Sequence, residues 1–192
     1  VAGFDVVVFD LERGTRDSLT SMEGEKLNFK PLWMPGDERI LFSSNRSGRW
    51  ELYTRSADGA GEDQLLLETE MTEYPESFSP DGVLSMAVAN PETGLDIWTL
   101  TPGEEPEPFV MGDFSQWGSR FSPDGSLIAY SSNESGSTEI YVQVYPAESG
   151  GRQIVSTEGG WAPAWSGDGK RLYYAREGEL WAADVTSRSP LR

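Results

Sequence analysis

The stretch RFSPDGSLIAYSSNESGSTEIYV, from Arg120 to Val142, decides how this chain is read. It is an apolar segment broken by two turn signals, and versions of it begin at Leu32, Ser77 and Ala164. The aromatic residue that opens each version, Trp33, Phe78, Phe121 and Trp165, recurs at steps of 45, 43 and 44 residues. A second aromatic recurs with it as Tyr53, Trp98, Tyr141 and Trp181. A fixed period of this size is the first thing to interpret, because it names one supersecondary unit used repeatedly.

The unit is built of strands. ILFSS, LIAYSS and RLYYA are short runs rich in β-forming residues, too short for helices and bounded by Gly and Pro. The later strand, as in Ile140-Tyr141-Val142, has no polar alternation, which marks a strand covered on both faces. In SPDG, Pro80 and Pro123 preset a tight turn, Asp81 and Asp124 reach the backbone two residues on, and Gly82 and Gly125 accept positive φ. Asn45–Gly48, Asn90–Gly94 and Asn133–Gly136 form the next hairpin turns. The N-x-S sequons at Asn45 and Asn133 are read as this turn chemistry, and QLLLE, EPFVM and RQIVS as fourth strands. A period of roughly 40–45 residues with about four strands per unit is a β-propeller blade.

The expected fold is therefore all-β: one propeller domain over residues 1–192, made of four-stranded antiparallel blades. Naming the strands A to D, residues 1–24 supply half a blade, strands C and D. Residues 25–69, 70–112 and 113–157 supply full blades, and 158–192 a blade with strands A to C. About four and a half blades are present, a partial ring or a small one. The segment PGEEPEPF, Pro102–Phe109, is a connection inside a blade and not a linker.

FSPDG, then an apolar strand, then SN-x-SG, then an acid-aliphatic-aromatic triplet resembles the WD40-like PD40 repeat of TolB-like propellers. The run from Tyr141 to Tyr174 is more particularly similar to the propeller that follows the kinase domain in bacterial serine/threonine protein kinases. The chain itself carries no kinase motif: it has no Gly-rich phosphate loop with its Lys, no H-R-D and no D-F-G. The resemblance implies a bacterial binding or scaffold module, in a periplasmic or otherwise extracytoplasmic setting, acting through another protein or another copy. It also leaves open a gating propeller of a prolyl-oligopeptidase-like serine peptidase whose hydrolase domain lies outside this chain.

Composition narrows the chemistry. Lys and Arg total 15 against 32 Asp and Glu, a formal charge of −17, which disfavours nucleic acid and anionic membrane surfaces as partners. The charge is consistent with a solvated surface or with a basic partner protein. With no Cys and no His, there are no disulfides, no Ser-His-Asp or Cys-His arrangement and no zinc site of His or Cys. No G-x-S-x-G elbow occurs and no carboxylate pair stands out, so the expectation is a non-enzyme without catalytic residues, cofactor or metal. No apolar run of about 18 residues occurs, so direct membrane insertion is not expected. The first residues lack a signal-peptide pattern and a starting Met, which points to a processed chain or a piece of a longer one.

Two repeated features are candidates for a site. An acid opens strand C in each unit: Asp5, Glu51, Asp96, Glu139 and Glu179. Hard cations need several oxygens converging on one point, so these acids are expected to accept hydrogen bonds within their own blades. Four aromatics, Phe29, Tyr74, Trp117 and Trp161, stand four residues before each strand-A aromatic. They are placed in the D-to-A connections, either as packing between blades or as an aromatic rim that binds a peptide or small ligand. The same loops carry Glu70, Glu73, Asp113 and Glu158, so a ligand there is expected to be cationic.

Overall fold

The computed structural model describes residues 4–21, 27–147 and 151–186. Every regular element in it is a β-strand, and every described pairing is antiparallel. β1 (Val7–Asp10) and β2 (Thr15–Ser18) form a two-stranded sheet. Three four-stranded sheets follow. The first holds β3 (Asn28–Trp33), β4 (Arg39–Ser44), β5 (Glu51–Ser56) and β6 (Gln64–Leu65). The second holds β7 (Glu73–Phe78), β8 (Leu84–Asn90), β9 (Gly94–Leu100) and β10 (Glu107–Val110). The third holds β11 (Gln116–Phe121), β12 (Leu127–Ser132), β13 (Glu139–Val144) and β14 (Arg152–Ile154). A three-stranded sheet of β15 (Trp161–Trp165), β16 (Arg171–Arg176) and β17 (Glu179–Asp184) ends the described chain. Strands pair in sequence order throughout, the up-and-down meander of propeller blades. The fourth strands are shorter than the apolar runs suggest, two to four residues long, because their later residues leave the ladder.

The chain forms two compact units, Val1–Pro75 and Glu76–Arg192. In the first, Val6, Leu19, Ile40 and Phe42 make a buried cluster, with Val8 and Tyr53 packed on it. In the second, one cluster gathers Val83, Ile97, Val110, Phe121, Ile128, Tyr130 and Tyr141, and another Leu127, Ala129, Ile140, Val142, Leu172 and Tyr174. β12 is buried at every position, which explains why its sequence lacks alternation: odd residues serve one cluster and even residues the other. Each large apolar side chain fully buried in this way contributes about 1.5–3 kcal/mol.

The turns work as their sequences imply. Ser122–Gly125 closes with a 2.8 Å bond from Gly125 N–H to the Ser122 carbonyl, with Gly125 at φ 73°. The Asp124 carboxylate accepts from Ser126 N–H at 3.2 Å and from the Ser122 hydroxyl at 2.7 Å. The Asn turns do more than turn. Asn45 Oδ1 accepts from Leu27 N–H at 2.6 Å, and Asn133 Oδ1 from Ser115 N–H at 2.9 Å. Each Asn thereby ties the turn between the second and third strands to the chain leading into the first strand of the same sheet.

That first strand carries a bulge. The register slips between Phe29 and Leu32, between Trp117 and Arg120, and between Trp161 and Ala164. In all three the residue after the aromatic has positive φ: Lys30 at 50°, Gly118 at 70°, Ala162 at 53°. An extra residue in one strand requires such a kink, and glycine meets it without steric cost. Lys30 and Ala162 meet it with a Cβ, at about 1 kcal/mol each. Replacing Ala162 by Gly is accordingly expected to raise stability by about 1 kcal/mol, although Gly weakens an ordinary strand. Urea melts of the two proteins test this, and a variant no more stable than its parent removes the strain argument.

Candidate functional site

The four aromatics lie in first strands rather than in connections, which corrects the placement expected from the sequence. Phe29, Tyr74, Trp117 and Trp161 fall in the first or second position of β3, β7, β11 and β15. In three of the four strands the bulge that follows breaks the alternation, so the sequence pattern places the strand start later than it is. Two of the four belong to each unit.

In the first unit Phe29 and Tyr74 are parts of a longer row. Ring centroids run Phe4 to Phe29 at 6.3 Å, Phe29 to Trp50 at 6.1 Å and Trp50 to Tyr74 at 6.1 Å. Successive rings are tilted by 49–59°, the offset geometry aromatic pairs favour. Phe4 is 58% and Phe29 42% exposed, while Trp50 and Tyr74 are half-buried. The Lys30 ammonium lies 5.7 Å from the Tyr74 ring centre. Phe4 and Trp50 share one repeat position, directly before the strand-C acids Asp5 and Glu51, but Leu95, Thr138 and Gly178 stand there in the other units, so the aromatic signal was too sparse to be singled out. In the second unit Trp161 is 54% exposed and Trp117 half-buried behind its bulge.

The acids expected beside this rim separate. Asp113 is exposed. Glu158 pairs with Arg176 at 2.7 Å. Glu73 is not a loop acid at all: it opens β7 and is 0% exposed. The Thr69 hydroxyl donates to one of its oxygens, and the other is buried with no hydrogen-bond partner among the described residues. Burial, assisted by the nearby Glu51 carboxylate, pushes the Glu73 pKa up, against the Thr69 hydroxyl and the Arg49 charge. A folded pKa above the unfolded one makes the contribution of Glu73 most favourable at low pH and loses it as pH rises through the folded value. Glu73→Gln is therefore expected to gain stability at pH 7.5, with a smaller gain at pH 4. Paired melts at the two pH values decide it, and an equal effect at both would show that charge burial is not the cause.

The strand-C acids act as hydrogen-bond hubs, with partners from beyond their own sheets as well as within them. Glu51 takes bonds from Arg49 and Tyr53 at 3.0 Å. Asp96 takes one from the Asn90 amide at 2.9 Å. Asp5 reaches past its own sheet to the Asn28 amide at 3.3 Å, and Glu139 to Gly159 N–H at 2.9 Å. Glu179 is exposed. Among the described residues no group of three or more acids could hold a metal ion.

Two features were invisible in the repeat. A guanidinium covers the strand-C aromatic in three sheets, Arg46 over Tyr53 at 4.2 Å, Arg152 over Tyr141 at 5.2 Å and Arg176 over Trp181 at 4.6 Å. The three arginines come from a turn, a fourth strand and a second strand, so no fixed spacing announces them. The other is Glu76, in β7 two residues after Tyr74. Its carboxylate accepts from Gly118 N–H at 2.7 Å, Ser119 N–H at 2.5 Å and the Ser119 hydroxyl at 2.7 Å. It thus fastens one sheet to the bulge of the next.

Comparison with known proteins places this architecture. No protein-family model matches the chain. A Tol-Pal system protein TolB from Anaeromyxobacter dehalogenans (strain 2CP-C) is 27% identical over 118 residues, covering 62% of this chain and 27% of the relative. The putative TolB of Agrobacterium tumefaciens matches in structure with a TM-score of 0.75 at 16% identity, over 89% of this chain and 66% of that one. A prolyl endopeptidase structure matches with a TM-score of 0.65 at 16% identity, over 95% of this chain and 30% of that one. The matched region is about a quarter of the length of the curated relative. The chain is built of TolB-like β-propeller repeats.

Proposed function

We propose that this chain is a non-catalytic propeller module that binds another protein within a bacterial assembly outside the cytoplasm. The observation that carries the reading is the row Phe4–Phe29–Trp50–Tyr74, whose rings stand in contact while Phe4 and Phe29 remain open to solvent. Large, rigid aromatics supply contact area at little entropic cost and dominate binding hot spots. Trp161 offers a second anchor on the other unit. The likeness to a Tol-Pal system protein supports a protein partner and an extracytoplasmic setting. The negative charge of the chain favours a basic partner segment.

The test is native mass spectrometry of the chain alone and mixed with purified Tol-Pal components of the same bacterium. A stoichiometric complex supports the reading, and Phe29→Ser or Trp161→Ser should then weaken it by about thirtyfold, the scale of a hot-spot residue. A chain that stays alone near 21.2 kDa with every component removes the reading. The structural match to a prolyl endopeptidase favours a second reading, a propeller that gates a hydrolase domain encoded elsewhere in a longer parent. A parent sequence with G-x-S-x-G and a later His would decide for it.

A further inference from the structure

On the first unit, beside the sheet of β3–β6, lies a pocket of about 160 Å³ whose walls are polar: Thr20, Asn28, Ser44, Arg46, Arg55 and Asp63. Its chemistry departs from the rest of the chain. In a protein with 32 acids and 15 bases, two guanidiniums here share one carboxylate. Arg46 Nη1 lies 2.5 Å from Asp63 Oδ2, and Arg55 Nη1 lies 3.2 Å from Asp63 Oδ1. Both arginine side chains are about a quarter exposed and Asp63 less, so solvent screens these charges only partly.

The cations are held in place by other bonds. Arg46 donates from Nε to the Ser44 hydroxyl at 3.0 Å and from Nη2 to Asn28 Oδ1 at 3.2 Å, and its plane lies over the Tyr53 ring. Arg55 donates from Nη2 to the Gly59 carbonyl at 3.0 Å. Its Nε is buried and has no partner among the described residues. Asn28 and Thr20 are themselves fixed, both donating to Asp5. A guanidinium presents five N–H donors, so both cations keep donors beyond those engaged here. A buried donor without an acceptor is unfavourable, and an incoming acceptor that reaches it relieves that cost.

We infer that this pocket binds a small oxyanion, a phosphate or carboxylate group, between Arg46 and Arg55. Two guanidinium forks set in a partly buried polar pocket match the acceptor geometry of such groups. The volume is several times the roughly 30 Å³ that a water occupies, so a phosphate fits with water beside it. Asp63 competes for the same donors and limits affinity.

Isothermal titration of the chain with inorganic phosphate, and separately with acetate, at constant ionic strength tests the assignment. Saturable binding is expected, weakened at least about tenfold in Arg55→Met, which keeps an apolar stem and loses the donors. Asp63→Asn should bind about tenfold tighter, because it removes the competing charge while keeping an acceptor. A purely structural ion-pair network predicts no gain in that variant, which keeps the test decisive even where Arg55→Met does not fold. Preference for phosphate or for acetate identifies which oxyanion group the site takes. Absence of saturable binding for both probes in the parent and in Asp63→Asn overturns the inference.

Discussion

Glu76→Ala is expected to destabilise the chain by about 3–5 kcal/mol, among the largest effects available to a single polar side chain here. The side chain is 2% exposed and its carboxylate meets two backbone N–H groups and a hydroxyl, all at 2.5–2.7 Å. The donors sit at the β11 bulge, where Gly118 at φ 70° turns consecutive N–H groups toward one point. That arrangement is a small anion-binding concavity, and Glu76 fills it. Removal leaves Gly118 and Ser119 N–H without their acceptor inside the protein, where no compensation is at hand. The damage extends further, because Ser119 also joins Ser85 at 3.0 Å, and Ser85 joins Ser77 at 2.8 Å. Phe121 N–H donates to the Ser77 hydroxyl at 3.0 Å, so the seam connects β7, β8 and β11 along much of their length. Glu76→Gln should cost less, since the amide keeps one acceptor oxygen. Denaturant melts of the two variants measure the pair, and a Glu76→Ala loss under about 1 kcal/mol would falsify the idea that this carboxylate fastens neighbouring sheets.

How much of this was legible in the sequence depends on whether a feature repeats. The strands, their order and the turns recur with the period, and these appear where the sequence places them. Gly125 and the Asn turns were readable because each needs a particular residue type for a backbone reason. The start of the first strand was not readable, because a bulge hides it: Trp161 and Trp165 face a register slip that breaks the period-two pattern. Glu73 illustrates the opposite failure. A Glu beside an aromatic in a polar stretch looks like a loop acid, yet tertiary packing buries it completely, and only the ladder reveals it as a strand residue. Glu76 and Arg46 act across sheets or turns at positions the other units do not share, so the comparison of repeats that exposes the fold suppresses them. The aromatic row lies between these cases: Phe29 and Tyr74 repeat in every unit and were found, whereas Phe4 and Trp50, which recur only before Asp5 and Glu51, were recognisable as members only from their ring contacts.

Glu139 provides the second large effect and ties it to pH. It is 2% exposed and accepts from the Ser156 hydroxyl at 2.6 Å, the Ser137 hydroxyl at 2.9 Å and Gly159 N–H at 2.9 Å. Burial pushes its pKa up, but the Ser156 hydroxyl, Gly159 N–H and Ser137 hydroxyl, with the Arg176 charge, outweigh that and hold it below the ordinary value. A folded pKa below the unfolded one means stabilisation that is present above the unfolded value, about 4.3, and lost as pH falls through the folded value. Glu139→Ala should cost about 3 kcal/mol at pH 7, because Ile140 N–H relies on the same Ser156 hydroxyl at 2.8 Å and the site cannot simply rehydrate. Gly160 narrows the alternatives: a Cβ there would stand 2.7 Å from Ser156 Oγ, so the strand end has no room to close over the gap with a larger neighbour. Glu139→Gln isolates the charge. It should be clearly less stable than the parent at pH 7, with a smaller deficit at pH 3, because the stabilisation from a lowered carboxylate is lost as pH falls through the folded value. Equal deficits at both pH values would assign the loss to packing and remove the charge-based account of this hub.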